Sequence, residues 1–235
     1  MIRRTLPIAR AIAIVALGAT SLAAQQVGYT PETSPFQDLR GKQALTVTAG
    51  VIAPGGDPAG VGPRTGTQVS LRYELLLTGP LWLQTRMTYA PRLDRTYKDP
   101  LVTGAPRILG TSTRPLTALE AGFGMNLTGN KSWNGLVPQV HGAVGWVSGG
   151  TAQADPGGYL FGNKFTISYG LGLRIPTGNR WEVSADLTHL FWKYTYPIDY
   201  GPDGAAVTPI VSSGTLSPWK GNLLLNIGMS RFFFR

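Results

Sequence analysis

Lys164-Phe165-Thr166-Ile167-Ser168-Tyr169-Gly170-Leu171-Gly172-Leu173-Arg174-Ile175 is the stretch that decides the fold. Phe165, Ile167, Tyr169, Leu171, Leu173 and Ile175 alternate without a break against Lys164, Thr166, Ser168, Gly170, Gly172 and Arg174. A period of two gives a strand with two unlike faces, one bulky and apolar, the other small, polar or charged. The same pattern recurs over 43–53, 66–77, 80–90, 115–127, 136–147, 181–193 and 221–234, each run near ten residues. In 66–77, Val69, Leu71, Tyr73 and Leu75 oppose Gln68, Ser70, Arg72 and Glu74; in 181–193, Trp181, Val183, Ala185 and Leu187 oppose Glu182, Ser184, Asp186 and Thr188. No helical period of comparable strength occurs after residue 42.

The connections alternate as well. Thr78-Gly79, 128–135 and 176–180 are short and carry Gly and Asn, the residues that tight turns need. The segments near 54–65, 91–114, 148–163 and 194–220 are long and rich in Gly, Pro, Asp and Ser. Eight strands in up-and-down order therefore place the long loops at one end, and the short turns and both chain ends at the other.

Ahead of the first strand, Arg3, Arg4 and Arg10 precede the apolar run from Ala11 and the small residues up to Ala24. A charged start, a short apolar middle and small residues at the end predict a secretory signal peptide over 1–24. The apolar stretch is too short for a membrane-spanning helix. Residues 25–42 show no period and contain Pro31, Pro35 and Gly41, which predicts a periplasmic tail. The barrel is expected over 43–235. Loss of the three leader arginines lowers the formal charge from +9 to +6, and no basic stripe points to nucleic acid. The chain has no cysteine and two distant histidines, which excludes disulfides, thiol nucleophiles and a recognisable zinc site; no cofactor is expected.

Glycine decides which face points inward. An eight-stranded barrel has an interior just wide enough for side chains to fill, so small residues belong on its inner face. Gly50, Gly122, Gly124, Gly145, Gly170, Gly172 and Gly228 share the charged face. The polar face is therefore expected inside and the apolar face in lipid, the reverse of a soluble barrel. Two aromatic girdles are expected on the outer face: Trp133, Trp181 and Phe233 toward the short turns, and Tyr89, Trp146, Phe165, Phe191 and Trp219 toward the long loops.

With these features, and with the aromatic end Phe232-Phe233-Phe234-Arg235, the chain resembles the small eight-stranded outer-membrane barrels, the group of the OmpA transmembrane domain, OmpX and OmpW. The likeness is one of architecture over 43–235, without a sequence motif. It implies residence in the outer membrane of a Gram-negative-type bacterium and insertion by the barrel-assembly machinery; the lipid bilayer and lipopolysaccharide are the expected partners, and a monomer is expected although the sequence does not fix the oligomeric state. Arg231 departs from the alternation on the lipid side, where a long side chain can snorkel to the interface.

The inward set holds Arg72, Arg86, Lys164 and Arg174 with Glu74, Glu120, Glu182 and Asp186, and His141 beside them. Charges in a narrow, poorly solvated lumen must pair, which predicts a salt-bridged plug and a non-enzymatic surface, adhesion or envelope-integrity role through the long loops. Two alternatives stand beside it. One is a narrow channel for small or apolar solutes, as likeness to OmpW would imply. The other is a lipid A-modifying acyl hydrolase or transferase using His189 near the long-loop rim, with Asp199, Asp203, Ser212 or Ser213. The His-x-Ser pair of the lipid A deacylases is missing, since the chain reads His189-Leu-Phe191 and His141-Gly-Ala143. In the loops, Arg92, Arg95, Lys98, Arg107 and Arg114 are candidate phosphate ligands, and Tyr194, Tyr196, Tyr200 and Trp219 candidate exposed adhesive aromatics.

Overall fold

A computed structural model describes residues 34–39, 41–150, 153–178, 180–204, 208–211 and 215–233. The segment read as a signal peptide lies outside them. The strands, in chain order, are β1 (Phe36–Asp38), β2 (Gln43–Pro54), β3 (Gly66–Thr78), β4 (Leu81–Lys98), β5 (Ile108–Asn126), β6 (Lys131–Trp133), β7 (Val137–Ser148), β8 (Asn163–Gly178), β9 (Trp181–Lys193) and β10 (Trp219–Phe233). Eight of them close an antiparallel barrel in the order β10-β2-β3-β4-β5-β7-β8-β9. The seam runs from Asn222↔Pro54 to Phe233↔Gln43, so β2 pairs along its whole length with the last barrel strand and the sheet closes.

The polarity is inside out. Gln68, Ser70, Arg72 and Glu74 of β3 are buried, whereas Val69, Leu71 and Tyr73 between them are exposed, and the other strands repeat this. Leu171, Trp146 and Ile227 expose 60%, 64% and 65% of their surface. A continuous band of such residues is incompatible with water and suits hydrocarbon, which makes this a transmembrane β-barrel. The glycine argument holds at atomic level. A Cβ on Gly145 would stand 2.0 Å from the Leu119 carbonyl oxygen, and one on Gly170 would stand 2.5 Å from His141 Nε2. Gly79, at φ +50°, makes the two-residue turn between β3 and β4.

Two expectations about connections are corrected. The segment 91–114 is mostly strand: β4 and β5 continue past the barrel as a hairpin, pairing Leu93↔Arg114 through Lys98↔Ile108. Pro91 has no N–H to give the ladder, so the register shifts between Ala90 and Leu93 and the alternation changes phase, which made the continuation look like a loop. The stretch 25–42 contains β1, which pairs with β6 inside the 128–135 connection through Phe36↔Trp133 and Asp38↔Lys131. Three residues are too few to show a period.

The inner face changes with height. At the short-turn end Ala44, Trp82 and Phe232 form a small apolar layer, with Trp82 and Phe232 edge to face at 6.2 Å. Polar and charged side chains fill the middle. At the long-loop end Ile52, Leu116, Val147, Leu190, Trp192 and Leu224 join Tyr159, Phe161, Tyr194, Tyr196 and Tyr200 in an apolar roof.

Candidate functional site

The lumen is built by register. Inward positions of β3, β4, β5, β8 and β9 carry the charges, and the pairing order brings residues distant in sequence to one height. Arg86 donates from Nε and Nη2 to Glu120 Oε2 at 3.0 and 2.8 Å, and from Nη1 to Thr188 Oγ1 at 2.9 Å. Ser168 donates to the other Glu120 oxygen, and His141 Nε2 lies 3.0 Å from Thr188 Oγ1. A second chain of ions runs through Arg72, which meets Asp186 Oδ1 at 3.0 Å and Glu74 Oε2 at 3.4 Å. Glu74 in turn holds Arg174, whose Nη1 lies 3.9 Å from Glu182 Oε2. Arg174 also donates to Gln139 Oε1 at 2.9 Å and lies 5.3 Å from the Trp82 ring, which joins the network to the short-turn layer.

Of the nine inner residues named from the sequence, the structure thus brings eight into this network, counting His141 through Thr188. Lys164 is the exception. It is inward, but at the long-loop end, with Nζ 5.3 Å from the Phe161 ring, too high to share the lumen carboxylates. The barrel-centre network therefore contains Arg72, Arg86 and Arg174 against Glu74, Glu120, Glu182 and Asp186. Glu182 has the longest of these ion pairs, and its Oε2 has no hydrogen bond among the described residues.

Seven of the eight residues expected in the girdles lie on the outer face of the barrel wall or at its rim; Trp133 does not, because it belongs to β6 of the separate β1–β6 ribbon. Tyr89, Trp133, Trp146, Phe165, Trp181 and Trp219 are exposed, and Phe191 and Phe233 half-buried. Arg231 stays in register, paired with Leu45 and Trp181. Its guanidinium lies 5.5 Å from the Trp181 ring and 5.7 Å from that of Phe233, so the cation is absorbed into the short-turn girdle.

The loop aromatics require a correction. Tyr194, Tyr196 and Tyr200 are buried, and only Trp219 of that set is exposed. Tyr194 stacks on Tyr196 at 5.7 Å and Tyr196 on Tyr200 at 6.2 Å, Phe161 packs edge-on against Trp192 and Tyr194, and Tyr159 leans on Tyr196. The Tyr196 hydroxyl donates to Asp57, whose carboxylate also accepts from the Ala59 and Gly62 amides, and Tyr200 donates to the Lys98 carbonyl at 3.3 Å. Burial holds all four tyrosine hydroxyls, those of Tyr159, Tyr194, Tyr196 and Tyr200, well above the ordinary phenol range; for Tyr196 the bond to Asp57 adds to it. Sequence reasoning missed this roof, although the signal was there: Leu190, Trp192, Tyr194 and Tyr196 continue the inward parity of Glu182, Ser184, Asp186 and Thr188. The basic rim is also divided: Arg95 is buried, Lys98 and Arg107 half-buried, and Arg92 and Arg114 exposed.

His189 stands on the outer wall, between Tyr169, whose hydroxyl is 3.3 Å from Nδ1, and Phe191, whose ring centroid is 4.2 Å away. Of the residues weighed with it, Asp203 is exposed in the β9–β10 loop, Asp199 lies in a short 3-10 turn over Ile198–Tyr200, and Ser212 and Ser213 lie outside the described residues.

No protein-family model and no curated protein sequence matches the chain. Solved structures similar to it include Neisserial surface protein A, at 10% identity over 85% of this chain and 98% of that one, with a TM-score of 0.49. The outer membrane protein OprG from Pseudomonas aeruginosa shows 10% identity over 86% and 100%, with a TM-score of 0.49. A major outer membrane protein from Thermus thermophilus shows 15% identity over 81% and 99%, with a TM-score of 0.45.

Proposed function

We propose that the chain is a monomeric, non-conducting outer-membrane protein whose working part is its long-loop end, serving recognition or envelope integrity at the cell surface. The observation that carries this is the filled lumen: a paired ion network lies between the Trp82–Phe232 layer below and the aromatic roof above. A permeating ion would have to displace buried guanidinium–carboxylate pairs, at several kcal/mol per ion. The filled lumen weighs against a narrow solute channel, and the neighbours of His189 on the outer wall are Tyr169 and Phe191. Lipopolysaccharide would surround the outward girdle, and the aromatic β10 would be the strand read by the barrel-assembly machinery.

Planar-bilayer recording of the protein purified from membranes, its folding verified by heat-modifiable gel mobility, tests this. A folded and electrically silent barrel is expected. Discrete, reproducible openings would overturn the sealed lumen and favour the channel.

A further inference from the structure

Beyond the barrel, the β4–β5 hairpin and the β7–β8 loop enclose a cavity of about 430 Å³, lined among others by Arg95, Tyr97, Arg114, Gln153, Asp155 and Tyr159. In the hairpin ladder Arg114 pairs with Leu93 and Ser112 with Arg95, so the buried Arg95 and the exposed Arg114 lie on one face of the hairpin. Arg95 is only 5% exposed; its guanidinium carbon lies 4.7 Å from the Phe161 ring, and Nε and Nη2 have no hydrogen-bond partner among the described residues. The buried Tyr159 hydroxyl has none either. Lys164, against the other part of the same Phe161 neighbourhood, adds a further cation. The carboxylate in the wall, Asp155, lies within electrostatic reach of Arg95 but gives its Oδ1 to its own loop, where it accepts from the Gly157 and Tyr159 amides at 2.9 Å each.

Burying a guanidinium without an acceptor is costly, and a second guanidinium beside it raises the cost. A fold that keeps such an arrangement in a solvent-reachable cavity is prepared for an anion, since planar guanidinium forks match the oxygens of a phosphate. The cavity is larger than a bare oxyanion needs and lies within the usual range for small-molecule sites. Tyr159 and Phe161 offer an aromatic wall and Gln153 an amide, which suits a ring bearing hydroxyls.

We infer that this cavity binds a phosphate monoester carried on a hexose-sized group, with the phosphate between Arg95 and Arg114 and the sugar against Tyr159. The burial of Arg95 in a cavity between the hairpin and the β7–β8 loop, and not on the outward apolar wall, favours a water-borne ligand over a lipid headgroup. The site deepens the surface role proposed above, and the two fail separately, because bilayer recording reads the seal and ligand titration reads the cavity.

Calorimetric titration of the purified barrel, in a detergent without phosphate, uses glucose 6-phosphate, inorganic phosphate and glucose as probes. Glucose 6-phosphate should bind saturably, more weakly as salt rises, and more tightly than inorganic phosphate; glucose should give no binding. Arg95→Gln and Arg114→Gln should each weaken binding by about tenfold or more, while Arg92→Gln, at an exposed arginine of the same hairpin, should leave it unchanged. Arg95→Gln should also raise the temperature of the gel-mobility transition, because it removes a buried charge two of whose nitrogens have no hydrogen-bond partner among the described residues; an arginine that serves only packing would lower it. Competition by lipopolysaccharide micelles with the same dependence on Arg95 would assign the phosphate to a lipid headgroup. No saturable binding of either phosphate probe, equal binding of glucose, or affinity indifferent to Arg95→Gln would each overturn the inference.

Discussion

At the scale of single residues, the lumen charges differ in how completely they are satisfied. Glu120 accepts two bonds from Arg86 and one from Ser168, whereas the ion pair of Glu182 among the described residues is the long one to Arg174, at 3.9 Å. Removing one partner of a buried pair leaves the other uncompensated, at roughly 3–5 kcal/mol. Glu120→Gln should therefore lower stability by about that much, Glu182→Gln should be close to neutral, and Arg86→Gln with Glu120→Gln should recover part of the loss. Urea unfolding in detergent micelles measures all three, and equal costs for the two glutamates would show that the pairing does not set stability. Gly145 makes the complementary point about volume. An added methyl there would meet the Leu119 carbonyl and the Glu120 Cα, so Gly145→Ala should displace the β5–β7 pairing beside the Arg86–Glu120 contact and destabilise by about 1–3 kcal/mol.

At the scale of elements, what could be read from the sequence follows from what imposed it. Lipid on one side and a crowded polar lumen on the other constrain every second residue, so the eight barrel strands were legible, and β9 has the very limits, 181 to 193, of its alternating run. The hairpin extension was hidden by the phase change at Pro91, and β1 by its length. Which charges share the lumen was legible from parity, but which ones meet was not, because Arg72 with Asp186 and Arg174 with Glu74 depend on the stagger of the strands around the barrel. Height along the strand, which removes Lys164 from the network and buries Tyr194 and Tyr196 in the roof, depends on the same stagger. The roof also has a pH signature. Its buried phenols keep their protons above the ordinary value near 10, while the opened loops release them there, so the open state binds fewer protons and roof stability falls as pH rises through about 10. Tyrosinate absorbance should therefore show a late, cooperative phase that coincides with loss of near-ultraviolet dichroism. Titration of every tyrosine in one unshifted step would contradict a packed roof.

At the scale of the whole molecule, three layers lie in series along the barrel axis: the Trp82–Phe232 pair, the ion network, and the roof around Phe161 and Trp192. Resistances in series are set by the tightest layer, so under the proposed sealed lumen the molecule should stay closed when any one is opened, provided that the remaining two each fill the cross-section. An eight-stranded wall makes that possible, because its interior is only as wide as the side chains that occupy it. Trp82→Ala with Phe232→Ala removes the lower layer, and Phe161→Ala with Trp192→Ala removes the heart of the upper one. Each large-to-small change in a packed layer costs about 3–5 kcal/mol, so both double variants should show a lower temperature for the gel-mobility transition. Neither should conduct, because Arg72, Arg86 and Arg174 remain paired across the middle in both. Bilayer recording of the two variants separates this arrangement from a simple gate: steady openings in either one would mean that an apolar layer, and not the ion network, had been holding the barrel shut.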